Sequence, residues 1–315
     1  MSYSESIIPA FNKLKQYCEQ ENFKGWDPYD GLNSKVFRGI PFLPNNKLAR
    51  LAWIQFFKRS FINFRKLAGV KKELNPKGLA LFIAAYCNLL KMERSDNAEI
   101  RQKIERLSNE LLHLKSEGYS GACWGYNFDW ESKAFFLSKF TPTIVVTTFA
   151  ANALLDAYEA TGNELYFDTA ISSKEFLLKD LKRTTLNNGN FAFSYSPFDQ
   201  TSVFNASLLG AKLLSRIHFY TREEELFQQA KKAVEYCVNF QNEDGSWYYS
   251  TLPFHQWIDN FHTGFNLECI AEYSHFTGDT SFANAFNKGM QYYLKTFFDE
   301  EGRSKYYNNQ LFPID

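Results

Sequence analysis

Thr161-Gly162-Asn163-Glu164, Thr221-Arg222-Glu223-Glu224 and Thr277-Gly278-Asp279-Thr280 each stand between two helix-like runs, 60 and 56 residues apart. The first two read as capping boxes, with Thr at the cap and Glu three residues later, so each is expected to turn the chain tightly into a second helix. A second landmark keeps the same period. Gly189, Gly245 and Gly302 are 56 and 57 residues apart, and each is followed by aromatic residues. These are Phe191, Phe193 and Tyr195, then Trp247, Tyr248 and Tyr249, then Tyr306 and Tyr307. The unit is therefore helix, short turn, helix, long aromatic loop. Gly121 to Trp130 reads as an earlier, less regular copy of the loop, and Gly25-Trp-Asp-Pro-Tyr29 as a degenerate one.

The two helices of a unit differ in kind. The runs 143–160 and 203–220 are apolar nearly all round, as a helix covered on all sides must be, whereas 164–182 and 224–240 carry an apolar stripe against a charged face. The first helix of each pair is expected inside and the second outside. Further helices are expected over 48–68, 76–92 and 97–115, with 4–19 as an additional one. Strand-like runs are scarce and no strand-helix alternation appears, which excludes a TIM barrel or a doubly wound sheet. A period in the 50s lies beyond the usual short helical repeats. It predicts an all-α fold, an α/α toroid of five to six helical hairpins with parallel inner helices, and long aromatic loops gathered on one face. The whole chain, 1–315, is expected to be one domain, with 1–45 its less regular opening.

Composition narrows the function classes. Aromatic residues make up 18% of 315, and 35 Lys and Arg balance 35 Asp and Glu, so no overall field steers the chain to nucleic acid. The opening Met1 to Ala10 lacks a basic, then apolar, leader pattern, and no window is apolar enough to span a membrane, so a cytoplasmic location is expected. Five scattered cysteines (Cys18, Cys87, Cys123, Cys237, Cys269) fit reduced, buried thiols. The chain holds no Cys-x-x-Cys, no His-Glu-x-x-His, no P-loop and no Gly-x-Gly-x-x-Gly, so no nucleotide cofactor is expected.

The loop face is dense in groups that suit polyhydroxylated ligands. Trp124, Tyr126, Trp130, Trp247, Trp257 and Tyr306 supply flat rings, and Asn205 and Asn260 supply amides. Sugars present C–H faces and hydroxyl edges, for which rings beside carboxylates and amides are a matched surface. The alternative is that the rings plug the end of the toroid as core. Trp257-x-Asp259-Asn260-x-His262-Thr263 is the densest polar cluster. Asp259 and His262, three apart at the start of an inner helix, form an acid/base pair able to act near neutral pH; alternatively Asp259 caps the helix and His262 satisfies a buried backbone group. Asp129 and Asp199, from neighbouring loops, are the expected second carboxylates of a hydrolase or lyase. His255 with Asp259 and His262 lacks a fourth ligand, so no metal is expected. Inner-helix N-termini converging on this face favour an anionic group, hence an acidic sugar.

Two resemblances follow from these residues. Gln241-Asn-Glu-Asp-Gly245-Ser-Trp247 is similar to the Gln-x-x-x-Gly-x-Trp motif of squalene and hopene cyclases, which are α/α toroids; it occurs once, without their acid motif, and implies only a loop that ties hairpins together. The set Cys123-Trp-Gly-Tyr-Asn-Phe-Asp-Trp130, Asn205-Ala-Ser-Leu-Leu-Gly-Ala211, Asp244-Gly-Ser-Trp-Tyr-Tyr249, Trp257-Ile-Asp-Asn-Phe-His-Thr-Gly-Phe265 and the tail from Tyr306 to Asp315 resembles a bacterial and archaeal family associated with surface polysaccharide biosynthesis. Some of its members carry a delta-aminolevulinic acid dehydratase label, which the missing strand-helix alternation opposes. Architecture alone is similar to six-hairpin glycosidases and sugar 2-epimerases. The resulting expectation is acid/base chemistry on a sugar or oligosaccharide, of hydrolase, lyase or epimerase type. The alternatives are a non-catalytic glycan-binding or scaffold protein, and terpenoid chemistry on a polyprenyl carrier.

Overall fold

The computed structural model describes residues 3–92, 97–132 and 135–309; the expectations placed on Met1-Ser2 and on 310–315 of the tail lie outside these. Among the described residues there are eleven α-helices. In chain order they are α1 (Tyr3–Gln20), α2 (Lys35–Gly39), α3 (Lys47–Arg59), α4 (Pro76–Met92), α5 (Ala98–His113), α6 (Ile144–Thr161), α7 (Glu164–Glu175), α8 (Phe204–Thr221), α9 (Glu224–Val238), α10 (Asn260–Thr277) and α11 (Ala283–Phe297). Strands are confined to two short antiparallel hairpins, β1 (Trp130–Glu131) with β2 (Phe136–Leu137), and β3 (Arg183–Thr185) with β4 (Phe191–Phe193). The chain forms two compact units: one from Met1–Ser116, Trp124–Thr141 and Ala153–Tyr166, the other from Glu117–Cys123, Pro142–Asn152 and Phe167–Asp315.

In the first unit α4 and α5 pack as a hairpin, with Asn75 and Asn97 accepting from first-turn N–H groups. The expected helix over 48–68 stops at Arg59. The Arg65 guanidinium is drawn inward to Asp30 (2.7 Å) and the Asp27 carbonyl (2.9 Å), and that buried pairing outweighs continuing the helix. Leu32, Phe37 and Ile54 form a core there, with Trp53 and Trp130 packed against it.

The repeat lies mostly in the second unit, with residues 153–166, the end of α6 and the start of α7, belonging to the first. The inner helices α6, α8 and α10 are each 18 residues long, within one residue of the expected starts for the first two. Helix α8 packs on both α9 and α10. It runs parallel to α10, because Lys212 meets Glu268 (2.6 Å) at mid-helix and Phe219 meets Phe276 (5.8 Å) near both C-termini. Gly210 permits the close approach: a Cβ there would stand 2.7 Å from Ile144 Cδ1.

Three hydrogen-bond devices recur at the hairpin period. The N–H groups of Gly189, Gly245 and Gly302, all at positive φ, donate to Leu186, Asn242 and Asp299. In the same turns Leu186, Asn242 and Asp299 donate to Asn190, Ser246 and Arg303. Second, the first N–H of each inner helix is taken by the following loop: Ile144 donates to Tyr195 O (2.9 Å), Phe204 to Tyr249 O (3.3 Å) and Asn260 to Tyr306 O (2.8 Å). Third, Arg222 and Gly278 sit in the left-handed region as C-caps of α8 and α10, donating to His218 and Ser274, with Gly278 supplying that geometry at no Cβ penalty.

That last device corrects the capping-box expectation. Thr161 and Thr221 are the last residues of α6 and α8, not N-caps. Thr161 Oγ1 donates back to Ala157 O (2.7 Å), and both hydroxyls accept from the N–H two residues on (3.4 Å). The outer helix expected over 164–182 keeps α-helical geometry only to Glu175 and passes into a π turn at 176–180.

Candidate functional site

The site is assembled by the loop that follows Gly245 and by the start of α10. Trp247 turns into the core, and Tyr249, two residues on, is held by its N–H on Trp257 O (3.0 Å) and by its carbonyl on Phe204. That backbone tie stacks the Tyr249 and Trp257 rings at 4.7 Å and 16°. A single 3-10 turn, Pro253–His255, returns His255 to the same tyrosine, with the imidazole edge-on at 5.1 Å and its Nδ1 2.8 Å from Ser250 Oγ. His262 meets another part of the Tyr249 ring at 4.6 Å. Two imidazoles and an indole thus share one phenol ring.

Asp259 is the N-cap of α10, as one of its two expected roles has it, and the His262 ring meets that carboxylate rather than a backbone group. One carboxylate oxygen, Oδ1, accepts the His262 backbone N–H (2.8 Å). The other, Oδ2, accepts Trp257 Nε1–H (3.1 Å) and lies 2.7 Å from His262 Nδ1. An ionised carboxylate has no proton to give, so Nδ1–H is the donor and Nε2 carries the lone pair. The Asp259 side chain is 1% exposed while the His262 ring is 24% exposed, so the orienting group is sealed and the imidazole is accessible. Nε2 makes no hydrogen bond among the described residues. The arrangement fixes the orientation of a solvent-accessible imidazole.

Beside it lies an aromatic surface that sequence reasoning did not single out. Phe261 is half-exposed, packs edge-on against His262 (5.4 Å) and Phe265 (4.8 Å), and Phe265 meets Phe149 of α6 (5.7 Å). The period of 18-residue inner helices was the available signal, since Phe149 and Phe265 are each the sixth residue of theirs. Further along α10, Glu268 pairs with Lys212 of α8; burial opposes the ammonium charge, but the Glu268 carboxylate prevails and holds the Lys212 pKa above its usual value.

The remaining expected residues divide. Asn260 is a latch: Tyr293 donates to its Oδ1 (2.8 Å) and its Nδ2 donates to Lys305 O (3.1 Å), which seats the segment carrying Tyr306 against α10. The buried Oδ1 atoms of Asn205, in the first turn of α8, and Asn266, in α10, have no hydrogen-bond partner among the described residues. Trp257 and Tyr306 are half-buried and present ring surface.

Others are placed elsewhere. Trp124 and Trp247 are 0% and 2% exposed, and their indole N–H groups donate to Leu111 O (2.8 Å) and Cys237 O (3.0 Å) near the ends of α5 and α9. They are core pins, which corrects their expected stacking role: a ring sealed on both faces has none to offer a solute. Asp199 is also structural. Its carboxylate accepts from the N–H groups of Tyr195, Ser196 and Thr201 and from the Ser196 and Thr201 hydroxyls, all between 2.6 and 3.3 Å. Asp129, Tyr126 and Trp130 belong to the first unit. There Asp129 pairs with Arg38 (3.0 Å) and accepts Lys139 N–H (2.7 Å), and Trp130 packs on Tyr29, Tyr126 and Phe135. The Gln241 amide donates to Gly245 O and to Ala285 O of α11 (both 2.9 Å), tying its loop to the next outer helix as the motif implies. Among the described residues no group of three or more His, Cys, Asp or Glu stands where it can hold a metal, and no helix is long and apolar enough to cross a membrane.

No protein-family model matches the sequence, and no curated protein sequence is significantly similar to it. Solved structures are. A D-mannose isomerase superposes with a TM-score of 0.57 at 16% identity, over 84% of this chain and 74% of the other. Cellobiose 2-epimerase from Bacillus thermoamylovorans B4167 gives 0.60 at 10%, over 89% and 78%. A family 88 glycosyl hydrolase from Bacteroides vulgatus gives 0.53 at 11%, over 96% and 88%. At such identities the likeness establishes architecture, and together with the parallel inner helices and period-bound loops it makes this an all-α protein of the α/α-toroid fold.

Proposed function

We propose that the protein is a sugar isomerase or epimerase in which His262 is the proton-transferring base. The observation that carries this reading is the 2.7 Å contact between Asp259 Oδ2 and His262 Nδ1, which leaves Nε2 as the basic atom and stabilises the imidazolium formed when it takes a proton. In the proposed reaction Nε2 removes the proton from the carbon next to the carbonyl of an open-chain sugar, giving an enediolate. Return of the proton to the opposite face of that carbon, once the enediolate has turned over beneath the base, epimerises the sugar; return to the former carbonyl carbon, with the hydroxyl proton of the first carbon passing to the former carbonyl oxygen, isomerises it. Trp257, Tyr306 and Phe261 would receive the sugar's C–H face. The likeness to a D-mannose isomerase and a cellobiose 2-epimerase supports a reaction of this class.

A glycosidase needs two available carboxylates facing one bond. Within the second unit Asp199 is saturated and Asp259 is sealed, so proton transfer by imidazole is the better supported chemistry. The proposed substrate is a neutral aldose or ketose. Free N–H groups at inner-helix starts would favour an acidic sugar, but the first donor of each is occupied by the carbonyl of Tyr195, Tyr249 or Tyr306. The surface-polysaccharide resemblance enters as a proposed source of such a sugar.

The test is incubation in D2O with mannose, glucose, fructose, cellobiose and their uronic acid counterparts, following deuterium entry beside the carbonyl by NMR. Exchange into a neutral sugar, abolished in His262→Gln, is the expected result. Absence of exchange into any of them, or exchange that survives His262→Gln, overturns the assignment.

A further inference from the structure

Between Gly31 and Lys72 the sequence holds ten Lys and Arg and no Asp or Glu, in a chain whose totals balance at 35 and 35. Five of these cations are met by acids from outside the stretch: Arg38 by Asp129, Lys47 and Arg50 by Glu131, Arg65 by Asp30, and Lys72 by Glu21. Lys58 donates to the Tyr29 hydroxyl. Lys35, Arg59, Lys66 and Lys71 are exposed and make no ion pair among the described residues.

The same stretch turns apolar side chains outward. Phe61 is fully exposed, Leu67 is 80% exposed, and Ile62 and Val36 stand out beside them. These positions adjoin. Ser60 Oγ donates to Ile62 O (2.8 Å) and accepts Ile62 N–H (3.2 Å), folding 60–62 into a turn at the end of α3. Phe56 stacks on Phe64 at 5.6 Å, which joins α3 to the segment beyond that turn. Val36 N–H donates to Ala68 O, and a methyl on Gly69 would meet the Lys35 stem at 3.1 Å, so the exposed edge of α2 borders Leu67.

Single exposed apolar residues are ordinary, but here they share a border with cations that make no ion pair among the described residues. A protein interface places its apolar core away from Lys, whereas a bilayer interface accepts Phe, Ile and Leu into the headgroup layer while Lys and Arg meet lipid phosphate. Single-stranded nucleic acid would engage stacked rings, yet Val36, Ile62 and Leu67 have no face on which a base stacks. We infer that this face of the first unit docks on an anionic lipid bilayer, with Phe61, Ile62 and Leu67 entering the headgroup layer and Lys35, Arg59, Lys66 and Lys71 contacting phosphate.

The experiment is flotation of the full chain with vesicles, comparing phosphatidylcholine alone with equal parts phosphatidylcholine and phosphatidylglycerol. Expected are binding to the anionic vesicles only, release at about 1 M salt, where the screening length falls to about 3 Å, and at least a roughly tenfold loss in Phe61→Ser/Ile62→Ser with unchanged thermal unfolding. Binding that ignores lipid charge overturns the inference, as does anionic binding untouched by Phe61→Ser/Ile62→Ser but lost in Arg59→Glu/Lys66→Glu, which marks a general polyanion patch. No flotation, with a self-association that Phe61→Ser/Ile62→Ser abolishes, assigns the face to a second copy and overturns it too.

Discussion

The backbone N–H of Phe204, the first residue of α8, donates to the carbonyl of Tyr249, whose ring contacts Trp257, His255 and His262. The bond belongs to a series, with Ile144 on Tyr195 and Asn260 on Tyr306, in which each aromatic loop is pinned to the start of the preceding inner helix. The device that closes each repeat therefore also fixes the ring around which His255, Trp257 and His262 gather. A loop tied to a helix start holds a side chain more rigidly than a free loop does, and rigidity is what an acid/base site requires.

Asp259→Asn separates the two jobs of the carboxylate. The variant keeps an oxygen for the cap, but its amide cannot hold His262 in the tautomer that leaves Nε2 basic. Turnover should fall by about 10³ to 10⁴, with the unfolding free energy lowered by only about 1 kcal/mol. The exchange rate in D2O and a urea titration measure the two effects. Equal stability and equal turnover would remove the orienting role.

The tryptophans should sort by placement. Trp247→Phe removes one donor from Cys237 O, which keeps the Phe240 N–H, and should cost about 1 kcal/mol, with sugar KM unchanged. Trp257→Leu, half-buried over Tyr249, should raise KM with a smaller loss of stability. Melting curves beside steady-state kinetics decide it, and a reversed pattern would return Trp247 to the binding surface.

The period glycines are unequal. Gly245 has φ of +94°, and a Cβ there would collide with the Lys288 carbonyl; Gly302 has φ of +77° with nothing within 4 Å. Gly302→Ala should cost about 1 kcal/mol, the penalty of the left-handed conformation alone. Gly245→Ala should cost upwards of about 3 kcal/mol, because backbone must move as well. Chemical denaturation of both variants checks the ranking.

Asp279 sets an acid limit. Burial works against its ionised form, but Ser281, the Tyr273 hydroxyl and Lys231 all stabilise it, so its pKa lies well below the usual Asp value. A depressed folded-state pKa contributes stability that is present above the unfolded value, about 3.9, and is lost as pH falls toward the folded one. Asp279→Asn should therefore be less stable than the parent near neutrality by about 1–2 kcal/mol, and the gap should close below about pH 4. Thermal unfolding at pH 7 and at pH 3 reads it, and a gap that is the same at both would refute the assignment.

The sequence by itself determined the architecture. Turn residues at a fixed period, apolar runs that are covered all round, and Gly followed by rings are local properties, and local properties are what a linear pattern records. Helices α6 and α8 began within a residue of their expected starts for that reason. It also determined that Asp259 and His262 would meet, since three residues on a helix is a fixed geometry. Only the tertiary structure decided which rings face solvent. Trp247 and Trp257 carry the same chemistry in the same loop, and their fates diverge because one finds the Cys237 carbonyl at the end of α9 and the other stacks on Tyr249 beside the site. Likewise the Thr of each short turn closes a helix rather than opening one, and Asp199 spends its charge on its own loop. Burial and hydrogen-bond satisfaction depend on neighbours distant in sequence, so residue type and spacing name the candidates and the packed fold chooses among them.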